Sequence, residues 1–172
     1  MKQQLTDQVK FLHKVVIMKT EQGQPRALIL KRNNLSSRPG AWDLPGGNAE
    51  WPQAQQSNVA DLHQLDIARE VKEESNLSVN HEIFDLDHLL FLMTYFEADR
   101  QIYTIICGWG INFTDTDQAL VKISDEHLDQ AWISLEELDN YNFGEAKGEF
   151  VKDMIKNAFA RLADSKLANS KN

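Results

Sequence analysis

The hydrophobic and polar positions of the chain alternate in blocks that predict a mixed α/β domain. Strand-like runs of apolar and β-branched residues occupy positions 9–19, 27–30, 77–84, 89–97, 101–113 and 131–133. Two other segments have helical spacing, one after residue 61 and one near the C-terminus. The second carries apolar residues at helical intervals: Phe150, Val151, Met154, Ile155, Ala158 and Leu162. It predicts a helix that covers one face of a sheet, followed by a polar, frayed tail at 164–172.

Capping signals bound the first of these helices. Asp61 and Gln64 form a capping-box pattern, in which Asp61 accepts hydrogen bonds from first-turn amides and Gln64 reaches back. Asn76 predicts the end of the helix, because asparagine tolerates the left-handed conformation of a C-cap better than other non-glycine residues. A second capping-box pattern, Ser134 with Glu137, predicts another short helix.

The first helix carries a concentration of acidic residues on one side. At about 100° per residue, four carboxylates fall within an arc of roughly 100°. They are Asp66, Glu70, Glu73 and Glu74. Like charges at this spacing cost a helix about 0.2–0.5 kcal/mol per pair, and Arg69 alone does not neutralise four carboxylates. Two interpretations are open: a solvated acidic face, or a site for a hard divalent cation such as Mg²⁺, which takes carboxylate and phosphate oxygens.

A glycine turn and several cations precede this helix. Residues 41–47 read Ala-Trp-Asp-Leu-Pro-Gly-Gly, and consecutive glycines let the backbone approach a ligand closely. Lys31, Arg32 and Arg38 flank the polar loop before the turn. These cations are either solvent-exposed loop charges or contacts for a bound phosphate.

Composition and charge narrow the class of protein. A chain of 172 residues with 42% hydrophobic residues fits one globular domain, which we place at 1–172. The net charge of −8 argues against nucleic-acid and membrane partners, and it admits polyphosphate substrates only with metal ions. The single Cys107 favours a reducing compartment. With no recognisable signal peptide or membrane-length apolar stretch, we expect a cytoplasmic protein.

The glycine turn and the acidic helix together resemble the signature of the Nudix hydrolases. That signature is G-x5-E-x7-R-E-U-x-E-E-x-G-U, where U is apolar. Here Leu44-Pro-Gly-Gly47 is followed by Arg69-Glu-Val-Lys-Glu-Glu-Ser-Asn-Leu77, which matches every charged and apolar position of the second block. Glu126-His127, just ahead of Trp132, repeats a layout common in the family. The resemblance extends over positions 9–162.

Three features depart from the family pattern. The 21 residues between Gly47 and Arg69 imply an insertion of about eight residues within 51–60, which lengthens the loop before the helix. Asp61 stands where a glutamate is usual, and Asp66 stands where a small residue is common. Asn76 replaces the last glycine. The first two departures leave the role of Asp61 open, and none of the three disrupts the helix.

The resemblance implies a fold and a reaction. The fold is α+β, a three-layer α/β/α sandwich with a mixed sheet. The reaction is hydrolysis of a diphosphate linkage in a nucleoside diphosphate linked to another group, with Mg²⁺ as cofactor and Mn²⁺ as a substitute. The implied metal ligands are Gly47 through its carbonyl, Glu70, Glu73 and Glu74. The implied catalytic residues are Arg69, Glu70, Glu73 and Glu126.

Individual roles follow from the same resemblance. Glu70 is the preferred base for the attacking water, and Arg69 pairs with Glu73 to hold its carboxylate. Glu126 is either a further ligand or base, or an exposed loop acid. Apart from the resemblance, the loop cations and the aromatic residues give the candidate substrate-binding residues Arg32, Arg38, Trp42 and Trp51. An aromatic residue such as Trp51 either stacks on a base or packs in the core or at the rim.

Substrate identity is open at this point. A nucleoside triphosphate or modified nucleotide is the first expectation for a compact monomer or homodimer, and nucleotide sugars or dinucleoside polyphosphates are the alternatives. A Nudix-like nucleotide sensor without catalysis is less compatible with the intact acidic block. Isomerase chemistry on isopentenyl diphosphate would need a catalytic cysteine, for which Cys107 is the single candidate.

Overall fold

A computed structural model describes residues 9–50, 62–113, 121–144 and 149–169, which form a mixed sheet flanked by two helices. The strands are β1 (Val9–Glu21), β2 (Gln24–Arg32), β3 (Trp42–Asp43), β4 (Leu89–Glu97), β5 (Ile102–Asn112) and β6 (His127–Ile133). The helices are α1 (Leu62–Ser75) and α2 (Glu149–Asn169). The order across the sheet is β3-β2-β1-β5-β4, and β6 also pairs with β2. β1 runs parallel to β5, whereas the other pairings of the described strands are antiparallel.

Alternating residues of the central strands build two separate cores, one on each face of the sheet. Side chains of a strand point to opposite faces in turn, so neighbours along β1 enter different cores. One core packs under α1 and includes Val15, Ile17, Leu28, Leu30, Ile67 and Val71. The other packs under α2 and includes Val16, Met18, Ala27, Ile29, Met154 and Ile155. The predicted three-layer α/β/α sandwich with a mixed sheet is therefore confirmed.

The sheet opens between β1 and β2, and the glycine turn fills the opening. The two strands pair next to their connecting turn, from Met18 with Ala27 to Glu21 with Gln24. Farther along β1, the amide of Val15 donates to the carbonyl of Pro45 at 2.8 Å. The amide of His13 donates to the carbonyl of Gly47 at 2.9 Å. The turn is thus held by strand-like hydrogen bonds, which fix its position relative to both helices.

Most predicted elements are present, and the segment 77–84 is the clear exception. We predicted a strand there, but the chain forms a 3₁₀ turn at His81–Ile83. The Asn80 side chain accepts a hydrogen bond from the Glu82 amide at 3.2 Å and so caps this turn. Leu77 and Phe84 on either side are buried in the core under α1. Local capping by asparagine therefore outweighed the apolar pattern.

Helix ends also differ in detail from the predictions. Asn76 follows α1 with a φ of 61°, as its C-cap role requires. Gln64 donates to the Phe84 carbonyl at 3.1 Å, and its predicted capping partner Asp61 lies outside the described residues. α2 continues to Asn169, into the segment that we expected to be frayed. No helix in the described ranges is long and apolar enough to span a membrane.

Candidate active site

The C-terminal half of α1 meets the glycine turn at one end of the sheet opening. Glu74 accepts a hydrogen bond from the Gly46 amide at 2.8 Å, and its side chain is buried. Glu70, one helical turn earlier, lies with its carboxylate against the α-carbon of Gly47. Residues four apart share one face of a helix, so both carboxylates reach the same turn. The acidic helix and the Gly-Gly motif therefore form one site.

The two glycines of the turn serve different purposes. Gly46 has a φ of 131°, and a side chain there would overlap the backbone carbonyl of His13. At Gly47 the obstacle is the Glu70 carboxylate, which occupies the space that a β-carbon would need. Gly46 is thus required for the backbone path, whereas Gly47 leaves room for a functional side chain.

This difference yields a prediction for two neighbouring alanine substitutions. Gly47→Ala should displace the Glu70 carboxylate, which can rotate, and so lower kcat by about 10²-fold with little loss of stability. Gly46→Ala should lower the free energy of unfolding by about 1–3 kcal/mol, because the clash there is with backbone. Thermal unfolding and steady-state kinetics on both variants provide the measurement. Equal loss of stability in the two variants would contradict the assigned roles.

A buried cation that we did not identify from the sequence supports the turn from β1. The Lys14 ammonium donates to the carbonyls of Leu44 and Gly46, each at 3.0 Å. It also lies 3.1 Å from the Asp43 carboxylate, and its own side chain is only 5% exposed. The available signal was a lysine in the middle of the apolar run 11–18, which we treated only as an interruption.

Asp43 gathers three cations on one oxygen. Lys14, Arg32 and Arg38 approach its Oδ2 atom to 3.1, 2.9 and 2.7 Å. Burial alone raises the pKa of Asp43, but Lys14, Arg38 and Arg32 together outweigh it and hold the pKa below its usual value. Three positive charges face one carboxylate here. We call these four residues the Asp43 cluster, and its excess positive charge faces the cavity described below.

The carboxylates of α1 differ from that of Asp43, because their pKa values are raised rather than lowered. Burial raises the pKa of Glu74 to about 7, and Lys14 and the Gly46 amide offset only part of this effect. Burial likewise raises the pKa of Glu70, although Arg69 counteracts it. His127 lies 3.9 Å from Glu74, but burial, Lys14 and Arg32 lower the pKa of this histidine to about 4. At neutral pH it therefore supplies no positive charge to Glu74.

Arg69 contacts more carboxylates than we predicted. Its pairing with Glu73 is present at 2.8 Å, at the expected i,i+4 spacing. We expected Arg69 and Glu70 to diverge around the helix, but their side chains meet at 2.9 Å. Arg69 also lies 3.3 Å from Glu50 in the loop after the glycine turn. Asp66 lies 3.8 Å away as well, so the side chain folds back over the helix, where these four carboxylates attract it.

The site opens into a cavity of about 590 Å³. Among the described residues, its charged lining comprises five basic and eight acidic side chains, which include Lys14, Arg32, Arg38, Glu70 and Glu74. Leu12, Phe91, Met93, Tyr95, Ile106 and Phe150 form an apolar wall. A pocket of this size that combines an apolar wall with a few charged groups is typical of sites for small organic molecules.

The structure brings some of the predicted site residues together and leaves others apart. Glu126 is exposed and lines the same cavity as Glu70 and Glu74. Glu73 is 56% exposed, paired with Arg69, and absent from the described lining. Trp42 packs edge-on against Tyr141, with ring centroids 5.1 Å apart, and it too is absent from that lining. Trp51 lies outside the described residues.

The donor set fits a hard divalent cation. Glu70 and Glu74 offer carboxylate oxygens beside a glycine turn, and burial raises the pKa of both, so a bound cation would stabilise their ionised forms. The Gly47 carbonyl already accepts from His13 but keeps a second lone pair. Across the described ranges, no three His, Cys, Asp or Glu side chains form a preformed cation site. Glu73, turned toward Arg69, is the remaining acid of the motif.

A comparison with known protein families shows to which family the chain belongs. The sequence model of the NUDIX domain matches residues 12–154, which make up most of the chain and include the glycine turn, the Asp43 cluster and the carboxylates of α1. The chain belongs to the Nudix family. It is accordingly a Nudix pyrophosphohydrolase, an enzyme of a family that acts on nucleoside diphosphate derivatives. No curated protein matches the sequence significantly.

Solved structures with the same fold support the architecture of this Nudix hydrolase. The MutT protein from Methanosarcina mazei Go1 has a TM-score of 0.63 and 22% identity, covering 92% of this chain and 98% of its own. The Ap4A hydrolase of C. elegans has a TM-score of 0.60 and 19% identity, covering 90% and 98%. The NUDIX domain of Shewanella oneidensis NrtR, complexed with ADP ribose, has a TM-score of 0.62 and 17% identity, covering 94% and 90%. At these identities the likeness concerns the fold alone.

Proposed function

We propose that this Nudix hydrolase cleaves a diphosphate linkage in a nucleoside triphosphate or modified nucleotide, with Mg²⁺ as its cofactor. The observation that carries the proposal is the convergence of Glu70 and Glu74 on the Gly46–Gly47 turn, at one end of a partly apolar cavity. Charged oxygens suit the diphosphate, and an apolar wall suits the nucleoside. Acids outnumber bases among the described residues of the lining, so a polyphosphate needs accompanying cations to enter.

Glu70, Glu73, Glu74 and the Gly47 carbonyl would hold the metal ion. When bound, Mg²⁺ neutralises the charge that develops on the phosphate oxygens and orients the groups for in-line displacement. Glu74 is already fixed by its hydrogen bond from the Gly46 amide. Glu73 lies at the surface and would contribute from there after rotation away from Arg69.

Glu70 is the residue best placed to accept a proton from the attacking water. Its carboxylate lies at the glycine turn, only 18% exposed, with one oxygen facing Arg69 and the other near Gly47. Burial raises its pKa, which makes it a stronger base than a surface glutamate. Arg69 acts as a positioning residue that holds Glu70 and Glu73. Glu126, at the same cavity, is the alternative base.

We infer that Arg32 and Arg38 of the Asp43 cluster contact the substrate phosphates. Both guanidiniums line the cavity while they bind Asp43, so they are pre-positioned rather than mobile. A guanidinium has five N–H donors, so binding one carboxylate oxygen leaves others for a phosphate. Trp42 supports this arrangement indirectly, because it is the strand neighbour of Asp43 and packs against Tyr141. A substrate contact for Trp51 stays a prediction.

Nucleotide sugars and dinucleoside polyphosphates are the alternative substrates. The decisive experiment is a panel of nucleoside triphosphates, nucleotide sugars and dinucleoside polyphosphates with Mg²⁺, in which released phosphate and pyrophosphate are both quantified. Pyrophosphate release from a triphosphate would support the proposal. Turnover confined to one of the other classes would overturn the substrate assignment and leave the diphosphate chemistry intact. A pure nucleotide sensor would bind members of the panel without turnover.

Metal dependence is the direct prediction for the acidic helix. Activity should require Mg²⁺ or Mn²⁺ and should vanish in excess EDTA, because the carboxylates of α1 cannot bind an anionic phosphate without a cation. Re-addition of Mg²⁺ should restore the rate, which excludes irreversible damage by the chelator. Undiminished turnover in EDTA would contradict the assigned metal site.

A further inference from the structure

The end of the cavity remote from α1 is formed by three adjacent strands in register. On β1, β5 and β4, Lys10, Thr104 and Tyr95 lie side by side across the sheet. The next row inward is Leu12, Ile106 and Met93. All six side chains line the cavity. The floor therefore runs from the Asp43 cluster, across an apolar row, to a polar row at the far end.

Two buried polar side chains define this far end. Thr104 is 4% exposed, and its hydroxyl has no hydrogen-bond partner among the described residues. Glu97 is 8% exposed and lies two residues after Tyr95 on β4, so it points to the same face. Its Oε2 atom lies 3.2 Å from Arg100, which also lines the cavity. A buried hydroxyl without a partner costs free energy unless a ligand satisfies it.

The distance from the phosphate end shows which part of a substrate would reach these residues. Lys14 and Lys10 are four residues apart on β1, a separation of about 13 Å along an extended strand. A diphosphate held at Glu70, Glu74 and the Asp43 cluster does not extend across the apolar row. The group that meets Glu97 and Thr104 is therefore the nucleoside.

We propose that Glu97 and Thr104 form a recognition subsite for a nucleoside group that carries two neighbouring hydrogen-bond donors. This inference rests on the proposed function and names the chemistry of the part of the substrate that is not cleaved. An ionised carboxylate only accepts hydrogen bonds, and its two oxygens offer about four lone-pair positions, so Glu97 can accept from a pair of adjacent donors while it keeps its contact with Arg100. The Thr104 hydroxyl both donates and accepts, so it can complete the contact. Met93, Tyr95 and Ile106 provide an apolar surface for a flat ring beside it.

Two parts of a nucleoside have this chemistry. One is the guanine edge with its ring N–H and exocyclic amino group, and the other is the ribose cis-diol. Guanosine carries both, inosine lacks the amino group, and 2′-deoxyguanosine lacks one hydroxyl. Comparison of these three ligands identifies which donor pair is used, because each analogue removes a single donor.

The test measures binding of the three nucleosides by titration calorimetry in EDTA. They carry no phosphate, so neither metal nor turnover is involved. The wild-type protein should bind guanosine about 10-fold more tightly than one of the two analogues. In Glu97→Gln this ratio should fall toward one, since the amide presents one acceptor in place of two. Thr104→Val, which keeps the shape and removes the hydroxyl, should weaken the binding of guanosine. Thr94→Val is the matched control, because Thr94 is exposed on the opposite face of β4.

Several outcomes would overturn the subsite. They are equal binding of all three ligands by the wild-type protein, no detectable binding of any of them, or an unchanged ratio in Glu97→Gln. The comparison of ligands on the wild-type protein is decisive by itself. The proposal can therefore be refuted even if a variant fails to fold. Hydrolysis with Mg²⁺ is assayed separately, so a protein that discriminates in EDTA but does not turn over would refute the proposed reaction and keep the subsite.

Discussion

Replacement of Glu70 by glutamine should lower kcat by about 10²–10⁴-fold, the usual contribution of a positioned general base. Glutamine keeps the shape of the side chain and its place beside Gly47, but it cannot accept a proton from water. Nucleotide binding should therefore be largely retained, so that the loss is in kcat rather than KM. Glu136→Gln, which removes an exposed acid absent from the described cavity lining, is the matched control and should behave as wild type.

Arg69→Ala separates the base from the residue that positions it. Since Arg69 contacts Glu70 at 2.9 Å and Glu73 at 2.8 Å, its removal should loosen both carboxylates. The expected result is a metal affinity lower by about 10–100-fold, with much of kcat recovered at saturating Mg²⁺. The measurement is kcat as a function of Mg²⁺ concentration for both variants. If Arg69→Ala stays as impaired as Glu70→Gln at saturation, the arginine acts directly on the phosphates.

Replacement of Asp43 by asparagine should lower the free energy of unfolding by about 3–5 kcal/mol, the usual cost of breaking a buried ion pair by removal of one partner. The neutral amide would leave Lys14, Arg32 and Arg38 together without their shared counter-charge. Chemical denaturation at pH 7 measures this effect. Asp139→Asn, which breaks an exposed pair with Lys152 at 3.0 Å, is the control and should change stability little.

A second variant and a pH series test the cause of this destabilisation. Arg38→Gln should be less harmful in the Asp43→Asn background than in wild type, because it removes one of the uncompensated cations. The folded-state pKa of Asp43 is depressed below 3.8, so its contribution is complete at neutral pH and is lost as the pH falls below about 4. The difference between wild type and Asp43→Asn should shrink in that range. A constant difference from pH 7 to pH 3 would show that the charges are not responsible.

The sequence alone determined the features that depend on local spacing. The period of the acidic residues placed Glu70 and Glu74 on one face of α1, and Asn76 marked its end through its left-handed conformation. Apolar runs predicted the long strands of the sheet, since alternation along a strand is itself a local property. The family signature is likewise a matter of spacing, and the match over residues 12–154 confirmed it.

Contacts between distant parts of the chain were decided only by the tertiary structure. Lys14 and Asp43 are polar residues at positions that local patterns assign to strand and turn, and their pairing depends on how the turn enters the sheet. The Arg69–Glu70 contact contradicts a simple helical projection, because a long side chain bends toward the nearest opposite charge. Glu97 and Thr104 meet one cavity only through the register of β4 and β5. Spacing along the chain determines which residues share an element, whereas electrostatics and packing between elements determine which of them form a site.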